Sequence, residues 1–172
     1  MKKLLAMSII TLGTASSAYA EGVYLGTGVA RVDAEEPGYN YGSTNFLAMI
    51  GYEINPYISI EAETSLALVK DNITISSTVV ELGMEHFATY AKFSLPTSGS
   101  IKPYARLGMS KGEASATVGS TTVSVNDTAF SYGFGAEYIL NDKSGIRLDY
   151  TTADYGTVTT GTVLAITSVY RF

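Results

Sequence analysis

Seven charged side chains fall inside stretches that otherwise alternate apolar and small residues: Glu61, Glu63, Lys92, Arg106, Glu137, Arg147 and Asp149. Carboxylates in such positions are candidates for acid–base work. Four acids interleaved with three bases also neutralise one another. Any one of them alone in a dry interior is strongly disfavoured, and removing one partner of a buried pair destabilises by roughly 3 to 5 kcal/mol. The pattern is read as a ladder of opposite charges that plugs a closed interior. The functional alternative for the same groups is a gated ion pathway, for which a narrow interior packed with charged chains is a poor candidate.

The remaining chemistry-bearing residues give weaker signals. His86 is the only histidine, and it stands between Glu85 and Phe87. A hydrolytic site needs its imidazole between a nucleophile and an orienting partner, and the sequence brings no serine or aspartate beside it. Gly26-Thr27-Gly28 lacks the lysine and the strand-to-helix switch of a phosphate loop. Asp33, Glu35 and Glu36 cluster without the spacing of a calcium loop, so they are read as a solvated acidic loop. Asn72-Ile73-Thr74 matches the glycosylation sequon and is read as chance. With no cysteine in the chain, thiol catalysis and thiolate metal sites are excluded. Neither catalysis, a cofactor nor a metal site is expected.

The elements that must position the charges follow from a period of two. About eight alternating segments run approximately from 22 to 32, 44 to 54, 57 to 68, 80 to 95, 103 to 114, 127 to 140, 145 to 155 and 161 to 172. After residue 20 no apolar run reaches the roughly 18 residues of a membrane helix. In Phe130-Ser131-Tyr132-Gly133-Phe134-Gly135-Ala136-Glu137-Tyr138 the large side chains share one face, while Ser, Gly and Glu share the other. A soluble barrel turns its apolar face inward; a membrane barrel turns it outward into lipid. Opposite charges and glycines concentrated on the polar faces favour an enclosed polar interior in an eight-stranded barrel.

The fourth segment fits neither phase cleanly. Lys92 is placed inward, with Phe87 and Phe93 in lipid and Glu85 lifted to the outer interface; a β-bulge between 85 and 87 would also reconcile the two ends. Connections alternate in character. The stretches 33 to 43, 69 to 79, 115 to 126 and 156 to 160 read as loose loops, whereas Asn55-Pro56 and Asn141-Asp142-Lys143-Ser144 read as tight turns. Longer external loops and short periplasmic turns are the asymmetry of outer-membrane barrels, which puts both barrel termini in the periplasm. The last segment sets Ile166, Tyr170 and Phe172 on one face.

These segments resemble the small eight-stranded outer-membrane barrels related to the transmembrane domain of outer-membrane protein A, outer-membrane protein X and opacity-type surface proteins. The resemblance spans residues 21–172. It is carried by Gly51-Tyr52-Glu53-Ile54-Asn55-Pro56-Tyr57-Ile58-Ser59-Ile60-Glu61, by Lys102-Pro103-Tyr104-Ala105-Arg106-Leu107-Gly108, and by Gly133-Phe134-Gly135-Ala136-Glu137-Tyr138 with Arg147-Leu148-Asp149-Tyr150. It implies an all-β, eight-stranded antiparallel up-and-down transmembrane barrel in the outer membrane. It also implies that the terminal Tyr170-x-Phe172 is the signal read by the barrel-assembly machinery, although Ser168 stands where that signal usually carries an apolar residue. The family has no single activity, its members being structural proteins, adhesins and surface antigens.

Upstream, Lys2 and Lys3, an apolar run from Leu4 to Leu12, and the small residues Ala18 and Ala20 read as a secretory signal peptide over 1–20, cleaved after Ala20. Without it, nine basic residues face sixteen acidic ones, a formal charge of −7, and this balance argues against a nucleic-acid partner. The expected function is an integral barrel with a structural or surface-interaction role. It would lie in lipid and lipopolysaccharide and offer its loops to an external ligand. A small porin-like channel and a soluble lipocalin-type carrier are the alternatives.

Overall fold

The computed structural model describes residues 22–36, 39–75, 78–155 and 159–172; Ala18 and Ala20 lie outside them. Eight strands run in chain order: β1 (Val23–Glu36), β2 (Tyr39–Asn55), β3 (Ile58–Ile75), β4 (Thr78–Ser94), β5 (Ile101–Val118), β6 (Thr121–Ile139), β7 (Ser144–Tyr155) and β8 (Thr159–Arg171). Each pairs antiparallel with its neighbour, and β1 pairs with β8 to close the barrel. Closure gives every strand of the ring a partner on both sides, so no edge is left at membrane depth.

Alternation sorts the side chains between the two surfaces. In β3, Ser59, Glu61, Glu63 and Ser65 are buried, whereas Ile60 and Leu66 are exposed. In β7, Arg147 is fully buried and its neighbour Leu148 is 54 % exposed. Ile50, Leu107, Phe134 and Ile166 likewise face out. A contiguous apolar band of this kind is untenable in water and favourable in lipid, at roughly 1.5 to 3 kcal/mol for each large side chain removed from water. The facing is opposite to that of a lipocalin-type carrier.

The two tight turns share one device. Asn55 Oδ1 accepts from the backbone N–H groups of Tyr57 and Ile58 at 2.9 and 3.0 Å. Asn141 Oδ1 does the same for Lys143 and Ser144, at 3.0 and 2.9 Å. Both are side-chain mimics of a turn that leave no backbone donor unmet at the strand ends.

At the opposite end the strands run further than their sequence pattern predicts. Residues 115 to 126, expected as a loop, continue the β5–β6 ladder to Val118↔Thr121, closed by Gly119 and Ser120. Gly119 supplies the φ of +57° that a two-residue hairpin needs. Ser, Thr and Val in this stretch suit a solvated ladder as well as a loop, so composition misread it. Residues 69 to 79 are likewise largely ladder, Asp71 to Ile75 pairing with Thr78 to Leu82.

In β4, Lys92 faces inward and Glu85, Phe87 and Phe93 face outward. The register of β4 with β5 is unbroken through 85–87, so no bulge sits there. The irregularity lies in β3 instead: between the pairs Ser65↔His86 and Asp71↔Leu82, β3 advances six residues and β4 four. A bulge lets the strand re-aim without disturbing the buried face below it.

Glycine sets the fit of rings across the lumen. A Cβ on Gly51 would overlap the Tyr24 ring, and one on Gly135 would overlap that of Tyr104. Each tyrosine therefore lies flat over a missing side chain on an adjacent strand.

Candidate functional site in the barrel lumen

Inward-facing residues from β3, β4, β5 and β7 meet on the barrel axis. Arg147 donates from Nη1 to Glu61 Oε1 at 2.7 Å, from Nη2 to Asp149 Oδ1 at 2.9 Å, and from Nε to Tyr104 Oη at 2.9 Å. Lys92 Nζ lies 3.3 Å from the same Glu61 oxygen. Arg106 donates from Nη1 to Glu63 Oε2 at 2.8 Å and from Nε to Thr151 Oγ1 at 2.9 Å. The hydroxyls of Tyr24 and Tyr104 donate to Glu61 and Asp149. Two forked guanidiniums thus sit against three carboxylates, an arrangement that satisfies charge and hydrogen-bonding directions together.

Tyrosine faces complete the ladder. Lys92 lies 4.7 Å from the Tyr24 ring centre and 5.4 Å from that of Tyr104. Arg106 lies 4.3 Å from Tyr90 and Arg147 4.7 Å from Tyr104. Each cation is held by both a carboxylate and a ring quadrupole.

Six of the seven sequence-predicted residues therefore converge. Glu137 does not join them in an ion pair; it lies 2.7 Å from Arg171, which also reaches Glu53 at 3.3 Å. Arg171 was legible only as a polar residue between the aromatics of the terminal strand.

His86 has partners that its sequence neighbours do not reveal. β3 brings it both a serine and a carboxylate: Ser65 Oγ is 2.7 Å from Nδ1, and Glu63 Oε1 is 2.9 Å from Nε2. With Nε2–H donating to the Glu63 carboxylate, Nδ1 is left to accept from the Ser65 hydroxyl. This is the hydrogen-bond order of a hydrolytic triad, but Ser65 is 1 % exposed and its oxygen accepts from Asn45 Nδ2 at 2.9 Å. The amide of Asn45 also donates to the Met84 carbonyl at 2.6 Å. Ser65 is thus enclosed by His86 and Asn45, and the arrangement caps the ladder.

Above the cap the lumen widens into a cavity of about 330 Å³, lined among others by Val32, Met84, His86, Tyr90, Ser110 and Tyr155. Ser110 Oγ and Tyr155 Oη lie 3.1 Å apart at its wall. At the other end, Ile166, Tyr170 and Phe172 are all exposed on the outer surface, with the Tyr170 and Phe172 rings edge to face at 5.4 Å. Tyr52, Phe93, Tyr138 and Tyr170 face out towards the turn end, and Phe46 and Phe130 towards the long-hairpin end.

The outer membrane protein beta-barrel domain model matches residues 3–172. The chain belongs to this outer-membrane β-barrel family. Among solved structures, Neisserial surface protein A is 18 % identical, with a TM-score of 0.74 and 88 % of this chain covering 98 % of that one. Ail, the attachment invasion locus protein of Yersinia pestis, in complex with the heparin analogue sucrose octasulfate, is also 18 % identical, with a TM-score of 0.66 over 88 % and 99 %. OprG from Pseudomonas aeruginosa is 13 % identical, with a TM-score of 0.63 over 89 % and 97 %. None of the curated proteins is similar to the chain in sequence. Membership places the barrel in the cell outer membrane and identifies the exposed apolar band as its lipid face.

Proposed function

We propose that this outer-membrane barrel works by presenting extended strands to an external protein partner, with the charge ladder acting as a structural plug and not as catalytic machinery. One observation carries this reading. β7 first pairs with β6 at Ala153↔Ser131, so among the described residues β6 from Thr121 to Phe130 has β5 on one side and no strand on the other. That segment holds a single charge, Asp127, and no lysine or proline of the kind that blunts an edge. A partner that adds a strand there binds through main-chain hydrogen bonds.

Charge narrows the partner. Residues 31–43, 69–85, 111–127 and 154–160, at the long-hairpin end, hold three basic and nine acidic residues. A basic extended segment is favoured, in contrast to the polyanionic heparin analogue crystallised with Ail. Orientation rests on the contrast between short turns at one end and long hairpins at the other: the hairpin end faces outward, the turns and both barrel termini lie in the periplasm, and lipid and lipopolysaccharide surround the band. Residues 1–20 act as a leader removed after Ala20. Ile166, Tyr170 and Phe172 form the strand end read by the assembly machinery.

The test uses the mature barrel in phosphatidylcholine nanodiscs and a fluorescent peptide of alternating lysine and valine. Binding should be saturable and should vanish when 115–126 is replaced by an Asn-Gly turn. Undiminished binding to the shortened barrel would rule out the hairpin as the docking element. For the plug, planar bilayers should show no steady conductance for the wild type; conductance that survives neutralising Arg106 would favour the pore instead.

A further inference from the structure

The lumen repeats one motif in its inner half: a tyrosine face, a carboxylate, and a cation supplied by the chain itself. Lys92 with Tyr24 and Glu61, Arg106 with Tyr90 and Glu63, and Arg147 with Tyr104 and Asp149 are its three instances. Above His86 the rings and the acids continue and the cations leave the cavity wall; Arg31 stands outside it, paired with Asp33 at 2.8 Å and with Asp71 at 3.1 Å. The outer cavity is lined by Tyr41, Tyr90 and Tyr155 and by Asp33, Glu85, Glu113 and Asp127, and among the described residues no lysine or arginine lines it. Of the four acids, Asp127 shares the inward phase of Ala129 and Ser131 on β6; the other three stand on outward-facing positions around the mouth.

We propose that this cavity is a binding site for a small organic cation, an amine or quaternary ammonium ion with a compact aromatic or aliphatic body. Its volume of about 330 Å³ is at the small end of the range for ligand sites, roughly 300 to 1,000 Å³. The walls suit an apolar body, with Val32, Ala34, Met84, Ala114, Ala153 and Val163 between the rings. Polarisable sulfur in Met84 and the face of Tyr155 attract a desolvated cation. Asp33 is engaged by Arg31, so attraction of cations to the mouth falls to Glu85, Glu113 and Asp127, whose field a recess focuses.

The floor explains why such a ligand stops there. Below Ser110, Tyr90 and His86 the next groups are the Arg106 guanidinium and its Glu63 partner, both already engaged, Arg106 by Glu63 and Thr151 and Glu63 by Arg106 and His86. A second cation gains nothing by going deeper and meets like charge if it does. The site is therefore a blind pocket that captures from outside and does not pass its ligand to the periplasm, which separates it from a transport pathway. It shares Asp127 with the β6 edge, but strand addition there uses the main chain and this site the side chain.

The experiment titrates the mature barrel in phosphatidylcholine nanodiscs with benzyltrimethylammonium, and separately with benzenesulfonate, an anion of similar size, following resonances of the Tyr155 and Met84 side chains. Saturable binding of the cation and none of the sulfonate is expected. Asp127→Asn should weaken the cation by up to about fivefold, the scale of one partly exposed charge pair. Ala114→Phe, which fills the mouth from an inward position of β5, should abolish binding while the heat-modifiable gel mobility of the folded barrel is retained. Equal binding of the sulfonate, cation binding that persists in Ala114→Phe, or no saturation by the cation up to millimolar concentration would each overturn the proposal.

Discussion

The two halves of the lumen use the same strand alternation to opposite ends. Between Lys92 and His86 every inward position is filled, and Arg106 and Arg147 are almost completely shielded from solvent. Beyond Met84 the inward positions turn to Ala, Gly and Val and a cavity opens. Closure of the barrel is common to both, so it cannot be what decides whether the interior is solid. Side-chain length and charge pairing decide it: long cations reach across the axis and lock to acids on the far wall, and where the cations stop the walls have nothing with which to meet. Stability and access are thereby allotted to different heights of one cylinder.

Four changes would break or sharpen that contrast. Arg147→Met should have the largest effect, a loss of about 3 to 5 kcal/mol, because it strands Glu61 and Asp149 without their shared guanidinium; denaturant unfolding of the lipid-inserted barrel measures it. Deleting Phe172 should reduce assembly into the membrane severalfold while leaving the unfolding midpoint of the inserted fraction nearly unchanged. Normal insertion without it would remove the terminal-signal reading. In the outer half, Tyr155→Phe removes one hydrogen bond to Ser110 and should lower stability by only about 0.5 to 1.5 kcal/mol. Smallest of all, replacing 115–126 with a tight turn should shift the midpoint by about 0.5 kcal/mol or less, as for other solvated surface changes. A large loss there would mean that the protruding hairpin supports the barrel and is not merely carried by it.

How much of this was legible in the sequence depends on the distance over which each feature is encoded. Facing is encoded between adjacent residues, so alternation along β3 to β7 gave the lipid surface and the inward set Glu61, Glu63, Lys92, Arg106, Arg147 and Asp149. Partnership is encoded by register. His86 and Ser65 are 21 residues apart and face each other across the β3–β4 ladder; Glu137 on β6 and Arg171 on β8 are 34 apart and meet only through the stagger of the closed sheet. The outer hairpin was missed for another reason. Glycine, serine and threonine suit both a loop and a solvated ladder, and the ladder prevails once β5 and β6 have already been zipped below Met109↔Phe130. The bulge was sought in β4 because its apolar pattern is ambiguous, whereas the two extra residues sit in β3, where Leu66, Leu68 and Val69 give no sign of interruption.

The tyrosines lying over Gly51 and Gly135 have a consequence for how the cylinder is built. If β2 slipped by two residues against β1, the plane beneath the Tyr24 ring would hold Met49 or Glu53 in place of a glycine, and the strands could not come together. Tyr104 constrains β6 in one direction: a two-residue slip that brought Glu137 opposite it would set a side chain beneath the ring, whereas the opposite slip would bring another glycine, Gly133. The Tyr24 ring is thus a gauge that admits one alignment of its neighbour, and the Tyr104 ring one that refuses a slip towards Glu137. A chain that adds strands one at a time can check its own spacing at these two points before the seam between β1 and β8 is joined.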